Sequence, residues 1–505
     1  MSDILTGLQS VITPQVLLYM LIGVVIGLIF GSIPGLTSNM AVALCLPMTY
    51  KMATELGVSF LIALFVGGIS GGLISAILIN IPGTPASVAT TFDGAPMAKQ
   101  GMAGKALGVG ISASFVGTIL SIVALICIAP ILAKFALKFG PYELFAVCFF
   151  SMTMLSSLVA DSVLKGITAA VLGIIFSLVG VAPTGGSDIR FGFGIKALAS
   201  GFNILPVLIG LFAVSEIFFT AMHPENATAK ENISDYKIKG LGYTLSEAKS
   251  QLWNLFRSSL IGIGIGILPG IGGGTSNIIS YSVAKQSSKY PEKFGTGIID
   301  GIVASETANN ASIGGAMIPL LVLGIPGDTV TALLLGGLTI KGINPGPLLF
   351  KNQGTLIYGI FFAMIICTIF MALVMYLGMP FFVKVLQIPR YLLLPVVLAL
   401  CFVGTYGTNN RLFDCWVALG FGVVGFIFKK LDLPIPPFIL GFILGGTVEL
   451  NLIRSIQYSN GDLIGAFLGS PIATIFLLVS FLVFGGSIFK NVKKKYGKRA
   501  ETQGD

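Results

Sequence analysis

The segment PGLTSN at residues 34–39 follows the apolar run 15–33, and PGIGGGTSN at residues 269–277 follows an apolar run in the second half of the chain. A second pair of motifs recurs in the same order, IPGT at residues 81–84 and IPGD at residues 325–328. Proline and glycine end helices. The two pairs therefore predict a duplicated chain whose helices are interrupted at matching places.

The composition places these interruptions in a membrane. Of 505 residues, 54% are hydrophobic and 10% are charged, whereas a soluble domain has about 25% charged residues. The 65 glycines lie mostly inside apolar segments, and glycine is more frequent in transmembrane helices than in soluble ones. We therefore expect an all-α polytopic membrane protein rather than a soluble one.

Apolar runs near the roughly 20 residues that a membrane span requires predict about 11 to 13 transmembrane helices. The candidate spans are residues 15–33, 57–79, 106–133, 142–160, 163–181, 200–221, 253–268, 308–324, 354–379, 391–406, 411–428, 437–452 and 464–489. Four half-length apolar segments bracketed by Pro-Gly or Gly-rich turns are interpreted as broken or re-entrant helices, at residues 37–50, 84–98, 275–288 and 328–340.

The longest polar stretch divides the chain into comparable halves. We expect a first transmembrane repeat at residues 1–221, a polar connection at 222–252, a second repeat at 253–489 and a basic cytoplasmic tail at 490–505. Basic residues beside a span favour the cytoplasmic side and attract anionic lipid. The net charge of +9 therefore indicates membrane lipid, and not nucleic acid, as a partner.

The orientation of the two copies is open at this point. An odd number of spans in each half would invert the second copy, and we favour inverted repeats. The loops that hold Lys134 and Lys384 are both basic, however, and the positive-inside rule would then place them on the same side. The first lysine is Lys51, so we expect the first apolar run to be a retained span and not a signal peptide.

Enzyme chemistry is poorly supported by the sequence. The single histidine, His223, lies at a polar boundary and is expected to be a surface residue. The six cysteines lie in apolar stretches without a C-x-x-C pair and are expected to be small buried hydrophobic groups. No phosphate-binding loop or cofactor motif is present. We expect no cofactor, and the energy for any transport must come from an ion gradient or another subunit.

The four breaks predict a ligand site. A helix that starts inside a membrane exposes N–H groups with partial positive charge, which attract an anion without a basic side chain. Interrupted segments at corresponding places in two halves indicate a transporter's substrate site. The candidate substrate-binding residues are Thr37, Ser38, Asn39, Pro82, Gly83, Thr84, Thr275, Ser276, Asn277, Pro326 and Gly327. Ordinary helix capping and tight interfacial turns are the alternatives.

Several oxygen-bearing side chains are candidates for binding Na⁺. They are Asn39, Asn277, Glu306, Asn310 and Asp328. Glu306 belongs to SETANNAS at residues 305–312, which we place just before the span 308–324. A carboxylate at a membrane segment indicates function; alternatively, Glu306 caps a helix in an aqueous loop. Lys99 and Lys341 follow the I-P-G segments, and they either meet an anion or extend to the membrane interface.

Five runs of residues carry a family resemblance. GSIPGLT (31–37), NIPGTPAS (80–87), LPGIG (268–272), ETANNA (306–311) and GIPGD (324–328) are similar to the large membrane subunit of tripartite tricarboxylate transporters. The likeness covers nearly the whole chain.

The resemblance implies a protein of the bacterial inner membrane that works with a small membrane subunit and a periplasmic solute-binding protein. It implies secondary transport of an organic acid such as a tricarboxylate, driven by an ion gradient, with Na⁺ as the expected coupling ion. Dicarboxylates or other organic acids are alternative substrates. An intramembrane enzyme and a passive channel subunit are the competing functions. Uptake with and without a Na⁺ gradient separates a transporter from a passive channel.

Overall fold

The computed structural model describes residues 2–158, 163–183, 185, 189–222, 242, 244–386, 388 and 390–501, and these residues are mostly helical. The expected surface residue His223 and most of the polar connection at 222–252 lie outside the described residues. Two short strands, β1 (Gly180–Val181) and β2 (Ile189–Arg190), pair in antiparallel fashion.

The first half contains ten α-helices among its described residues. They are α1 (Ser2–Val11), α2 (Pro14–Ser32), α3 (Ser38–Thr49), α4 (Thr54–Leu78), α5 (Val88–Met97), α6 (Ala103–Ala136), α7 (Pro141–Leu158), α8 (Val163–Ser177), α9 (Ile204–Ile209) and α10 (Ser215–Met222). A 3₁₀ turn (Pro85–Ser87) precedes α5, and π-helical turns precede α6 (Ala98–Met102) and α10 (Gly210–Val214). A further 3₁₀ turn (Lys196–Leu198) follows β2.

The second half contains twelve α-helices among its described residues. Its helices are α11 (Leu245–Ser250), α12 (Leu252–Ile267), α13 (Gly272–Gln286), α14 (Ile299–Leu323), α15 (Thr329–Ile340), α16 (Pro347–Asn352), α17 (Gly354–Val385), α18 (Arg390–Asn409), α19 (Leu412–Lys430), α20 (Ile435–Tyr458), α21 (Leu463–Gly469) and α22 (Pro471–Glu501), with a 3₁₀ turn at Pro291–Lys293. Most of the basic tail predicted at 490–505 is therefore a continuation of α22.

The multi-pass all-α class is confirmed. Among the described residues, seven helical segments are long and apolar enough to cross a membrane, or eight if the pair Leu463–Gly469 and Pro471–Gly486, bent by 104°, forms one span. This number is smaller than the expected 11 to 13 because some expected spans are short. Val163–Ser177 has 15 residues and Leu252–Ile267 has 16.

The four half-length segments are short helices, as expected. α3 and α15 have 12 residues each, α5 has 10 and α13 has 15. At 1.5 Å per residue they are about 15 to 23 Å long, which is less than the roughly 30 Å of a bilayer's hydrocarbon core. Each follows a break at Pro-Gly or Gly-rich backbone, so each break is followed by a short helix.

Glycines bring α2, α3 and α4 together as a tight unit. A Cβ on Gly27 of α2 would lie 2.6 Å from the carbonyl oxygen of Leu64 in α4, so only glycine permits this approach. Ser38, at the start of α3, packs on Gly68 of α4, and Thr49, at its end, packs on Gly57. α3 therefore runs antiparallel to α4 and forms a hairpin arm.

The second half builds the same unit from α12, α13 and α14. A Cβ on Gly266 of α12 would lie 2.7 Å from the carbonyl oxygen of Ser312 in α14. Near its start α13 packs Gly273 on Asn309, and further along it packs Tyr281 on Gly301. α13 is thus antiparallel to α14, as α3 is to α4. The duplicated motifs therefore correspond to duplicated helix arrangements.

The two central helices run in opposite directions. α6 lies between them. Its residue Gly110 packs on Leu73 and Ile77 of α4. One turn later in α6, Ser114 accepts a hydrogen bond from the side chain of Asn310, which also accepts one from Ser70 of α4. α6 therefore runs antiparallel to α4. Against α14, the α6 residues Gly117 and Ser121 pack on Thr307 and Gly314 respectively, so these helices are parallel.

Both central helices are enclosed by protein. Residues 56–78 of α4 and 301–322 of α14 are buried throughout. Placing residues 305–312 just before a span was wrong, because α14 begins at Ile299 and holds this polar run at its centre. A polar run can be helical there because neighbouring helices supply hydrogen bonds, which an apolarity search cannot detect.

Candidate functional site

A buried carboxylate marks the centre of the polar cluster on α14. Glu306 is 0% exposed. Its Oε1 accepts a short hydrogen bond from the Thr90 hydroxyl of α5. Its Oε2 accepts one from Ser114 of α6 at 3.2 Å and one from Asn310 at 3.3 Å. Three helices thus direct neutral polar groups at one carboxylate.

Asn310 links this carboxylate to both central helices. Its Oδ1 accepts a hydrogen bond from Ser70 of α4 at 2.6 Å, and its Nδ2 donates to Ser114 Oγ at 2.8 Å. The hydroxyl of Ser305 lies 3.1 Å from that of Thr90. The carboxylate, the amide and the hydroxyls together form an oxygen-rich cluster between the two halves.

Asn277 connects this cluster to the second T-S-N segment. Its Oδ1 accepts a hydrogen bond from the backbone N–H of Ala89 at 2.7 Å. Its Nδ2 donates to the Ser305 carbonyl at 3.2 Å and to Thr90 Oγ1 at 3.4 Å. The T-S-N segment of the second half is therefore held by α5, which follows the I-P-G segment of the first.

The reciprocal contact exists on the other side. Asn39 accepts a hydrogen bond at its Oδ1 from the Thr329 hydroxyl at 3.0 Å. Asn39 belongs to the T-S-N segment of the first half, and Thr329 begins the helix after the I-P-G segment of the second. Each T-S-N segment thus contacts the opposite half's I-P-G segment or the helix that follows it.

The four breaks are also contiguous. The N–H of Gly270 donates to the carbonyl of Gly327 at 2.7 Å, and Gly272 packs on the side chain of Asp328. Gly273 packs on Ala86, next to the first I-P-G segment. The structure therefore brings together the four breaks that the sequence predicted. Contacts made by the breaks of the second half connect the two crossed contacts to each other.

The remaining candidate residues make contacts within their own segment or with an adjacent helix. Thr37 caps α3 by accepting from the N–H of Met40 at 3.3 Å, and Asp328 caps α15 by accepting from the N–H of Thr331 at 2.7 Å. Ser276 donates to the carbonyl of Ala308 at 3.1 Å. Thr275 does not cap a helix, because α13 already begins at Gly272.

The turn residues and the two lysines complete the predicted set. Gly83, Pro326 and Gly327 are buried, and Pro82 is half-buried. Lys341 donates to the carbonyl of Tyr50 at 3.1 Å, near the end of α3, and Lys99 is exposed. Contacts with helix-end carbonyls agree with the interfacial interpretation of Lys341.

A further buried carboxylate was not among the predicted site residues. Asp93 of α5 is 0% exposed. Its Oδ2 accepts from the Tyr281 hydroxyl at 2.8 Å, and its Oδ1 accepts from the N–H groups of Gly295 and Gly297 at 2.9 Å and of Ile298 at 3.1 Å. Through these hydrogen bonds, Asp93 connects α5 to α13 and to the start of α14. A carboxylate inside an apolar half-length segment was the signal that could have identified it.

A sequence model described as "Tripartite tricarboxylate transporter TctA family" matches residues 17–440 of the chain. The chain belongs to this family. It is 32% identical over 497 residues, 98% of each chain, to an uncharacterised 52.8 kDa protein in the TAR-I ttuC' 3' region of Agrobacterium vitis. It is 34% identical over 231 residues, 46% of this chain and 95% of the relative, to an uncharacterised protein in the TAR-II ttuC' 3' region of the same organism. No solved structure matches it.

The tripartite tricarboxylate transporter family is a transporter family, so the chain is a multi-pass component of a tripartite transporter. The candidate site contains buried carboxylates without a charged partner among the described residues. Among the residues described, the carboxylates of Asp93, Glu306 and Asp328 form no ion pair. An uncompensated buried carboxylate is costly unless it is protonated or binds a cation.

A cavity of about 650 Å³ lies behind the second I-P-G segment of this TctA-family chain. Gly324 and Ile325 form part of its wall, together with Phe176, Thr339 and Thr447. The cavity reaches the residues directly before Pro326. It therefore leaves space next to one of the four breaks.

Proposed function

We propose that this protein is the ion-gradient-driven membrane subunit that imports an organic polycarboxylate, such as a tricarboxylate, across the bacterial inner membrane. It works with a small membrane subunit and a periplasmic solute-binding protein. Membership of a tripartite tricarboxylate transporter family supports this function. The observation that carries it is the crossed contact of the breaks, Asn39 with Thr329 and Asn277 with Ala89.

The electrostatics of the breaks favour an anionic substrate. α3, α5, α13 and α15 all begin at or near the crossed contacts, and a helix N-terminus presents N–H groups with partial positive charge. Asp328 already neutralises the N-terminus of α15 by accepting the N–H of Thr331. Thr37 likewise caps α3, and Asn277 accepts the N–H of Ala89 in α5. α13 has no side-chain cap, so its N-terminal N–H groups bind the substrate carboxylates, together with a co-transported cation.

We propose Na⁺ as that cation and the cluster around Glu306 as its site. Hard cations bind oxygen ligands, and Glu306, Thr90, Ser114 and Asn310 provide carboxylate, hydroxyl and amide oxygens within one hydrogen-bonded group. A bound Na⁺ would also compensate the buried charge. Asn277 shares Thr90 with this cluster, whereas Asn39 and Asp328 lie at the other crossed contact.

We further propose that the two halves are inverted repeats. Two observations support this orientation. The T-S-N and I-P-G motifs occupy equivalent positions in the two helix units, and the equivalent helices α4 and α14 run in opposite directions along α6. Inverted halves around a central site are a common basis of alternating access.

Uptake measurements test the sodium site. Cells or proteoliposomes containing the chain with its two partner subunits are given labelled citrate, with and without an inward Na⁺ gradient. Glu306→Gln, which removes the charge but keeps the shape, is expected to abolish sodium-driven uptake. Glu247→Gln makes the same chemical change at a half-buried ion pair outside the cluster and is expected to retain sodium-driven uptake. Sodium-driven uptake by Glu306→Gln at the wild-type rate would contradict the site.

The crossed contacts have their own test. Asn39→Ala and Asn277→Ala are expected to weaken the apparent affinity for citrate, for Na⁺ or for both. If both affinities are unchanged in both variants, the breaks do not form the ligand site. A simpler observation concerns the partners: genes beside the one for this chain are expected to encode a four-span membrane protein and a secreted binding protein.

A further inference from the structure

Asn309 is an exception to the hydrogen bonding of the polar cluster. Its side chain is 0% exposed. Neither the oxygen nor the nitrogen of its carboxamide makes a hydrogen bond with any other described group. Its neighbours on α14, Glu306 and Asn310, are hydrogen-bonded on several sides. A buried polar group without a partner needs a specific explanation, because native proteins satisfy nearly all such groups.

The carboxamide of Asn309 is directed toward the breaks. Its Oδ1 lies 2.6 Å from the position that a Cβ on Gly273 would occupy, and Ser312 Oγ and Ala86 Cβ lie 3.1 and 3.2 Å from the same point. Gly273 is at the start of α13, and Ala86 directly follows the first I-P-G segment. Asn309 therefore faces the place where breaks from the two halves meet.

Asn309 also lies beside the proposed cation site. Glu306 precedes it by three residues, so both side chains lie on neighbouring positions of one helix face. The two side chains are therefore neighbours, although the geometry shows no hydrogen bond between them. The hydroxyls of Ser38 and Thr84, one in each kind of break, are likewise buried and unpaired.

We propose that the Asn309 carboxamide binds the transported organic anion and the coupling cation at the same time. In the ligand-free structure Oδ1 faces Gly273, and a half-turn of the carboxamide exchanges the positions of its oxygen and nitrogen. The nitrogen then donates to a substrate carboxylate at the breaks, and the oxygen coordinates the cation held by Glu306. A carboxamide is suited to this role because it has a donor and an acceptor on one planar group. This inference rests on the proposed function and names the residue through which the two ligands affect each other's binding.

Replacing Asn309 gives two measurements that separate this role from a structural one. Asn309→Leu removes both unpaired polar atoms, so thermal stability without ligand is expected to be retained or increased. Stabilisation of the purified complex by citrate plus Na⁺, which reports binding, is expected to be lost. A purely structural asparagine would give the opposite pattern, with lower stability and retained stabilisation by ligand. Asn309→Ala provides the same measurements if leucine does not fold.

The coupling is measured by transport. In the wild type, the KM for citrate is expected to fall as Na⁺ rises. In Asn309→Ala, we expect a KM raised about tenfold and independent of Na⁺, which is within the usual range of coupling between two ligands. Thr307→Val is the matched control: Thr307 is also buried with an unpaired hydroxyl on α14, about 200° around the helix from Asn309. It is expected to behave as the wild type does.

The outcomes distinguish the inference from the function on which it rests. A wild type without sodium-driven citrate uptake contradicts both. A wild type with such uptake, beside an Asn309→Ala variant whose KM keeps its value and its sodium dependence, contradicts the inference alone. A raised KM that still responds to Na⁺ as in the wild type also overturns it, because the residue would then bind only the anion.

Discussion

Replacing Asp93 by alanine tests whether this carboxylate fastens α5 to the second half. The change removes the acceptor for four donors, the hydroxyl of Tyr281 and the N–H groups of Gly295, Gly297 and Ile298. Hydrogen bonds to charged groups contribute about 1.5–3 kcal/mol each and neutral ones about 0.5–1.5 kcal/mol. The consequences differ between the two kinds of donor.

The tyrosine hydroxyl is buried, whereas the three amides lie at a partly exposed turn that water can hydrate. We therefore assign the full charged value to the hydroxyl and the low end of about 0.5 kcal/mol to each amide. Asp93→Ala is then expected to cost about 3–4.5 kcal/mol of stability. Asp93→Asn keeps one oxygen for the amides and removes a buried charge, and it is expected to cost about 1 kcal/mol.

The measurement is thermal unfolding of the detergent-purified protein followed by fluorescence-detected size exclusion. The expected order of melting temperature is wild type, then the asparagine variant, then the alanine variant well below both. Tyr281→Phe removes a single donor and is expected to fall between wild type and Asp93→Ala. If the alanine and asparagine variants melt together, or if alanine melts with the wild type, the carboxylate does not hold these elements.

Two further predictions concern other contacts. Gly273→Ala places a methyl group 2.6 Å from Asn309 Oδ1 and is expected to cost about 1–3 kcal/mol through overpacking; Gly274→Ala, whose methyl group would lie 3.3 Å from the nearest atom, is expected to melt closer to the wild type. The hydrogen bond from Lys105 lowers the pKa of Glu247 to about 2 from its usual value of 4.5. The stabilising effect of this hydrogen bond is complete above pH 4.5 and is lost as the pH falls toward 2. The difference in melting temperature between the wild type and Glu247→Gln is therefore expected to shrink from pH 7 to pH 3. A constant difference would contradict this prediction.

Local sequence was sufficient to locate the breaks but not their partners. Pro-Gly backbone determines where α2 and α12 end, so the four short helices were predictable from the motifs alone. Asn277, however, bonds to Ala89, which is 188 residues away. No periodicity or capping rule relates two such positions. The crossing of the breaks therefore became visible only in three dimensions.

The polar run on α14 shows why a prediction from apolarity alone placed the start of this helix wrongly. Glu306, Asn309 and Asn310 lower the hydrophobicity of α14 in the region where it is most buried. The hydrogen bonds that make this burial possible come from Thr90, Ser114 and other groups on neighbouring helices. Asp93 was left out of the predicted site residues because its partners, near the start of α14 and on α13, are distant in the sequence.

The crossed contacts have a consequence for the biogenesis of the protein. The first half is synthesised and inserted first, but Asp93 and Asn39 take their partners from Tyr281, residues 295–298 and Thr329. Until α13, α14 and α15 follow, α5 carries a carboxylate without its hydrogen-bond donors. The nascent first half is therefore incomplete by itself, and the proposed ligand site is completed only after much of the second half has entered the membrane.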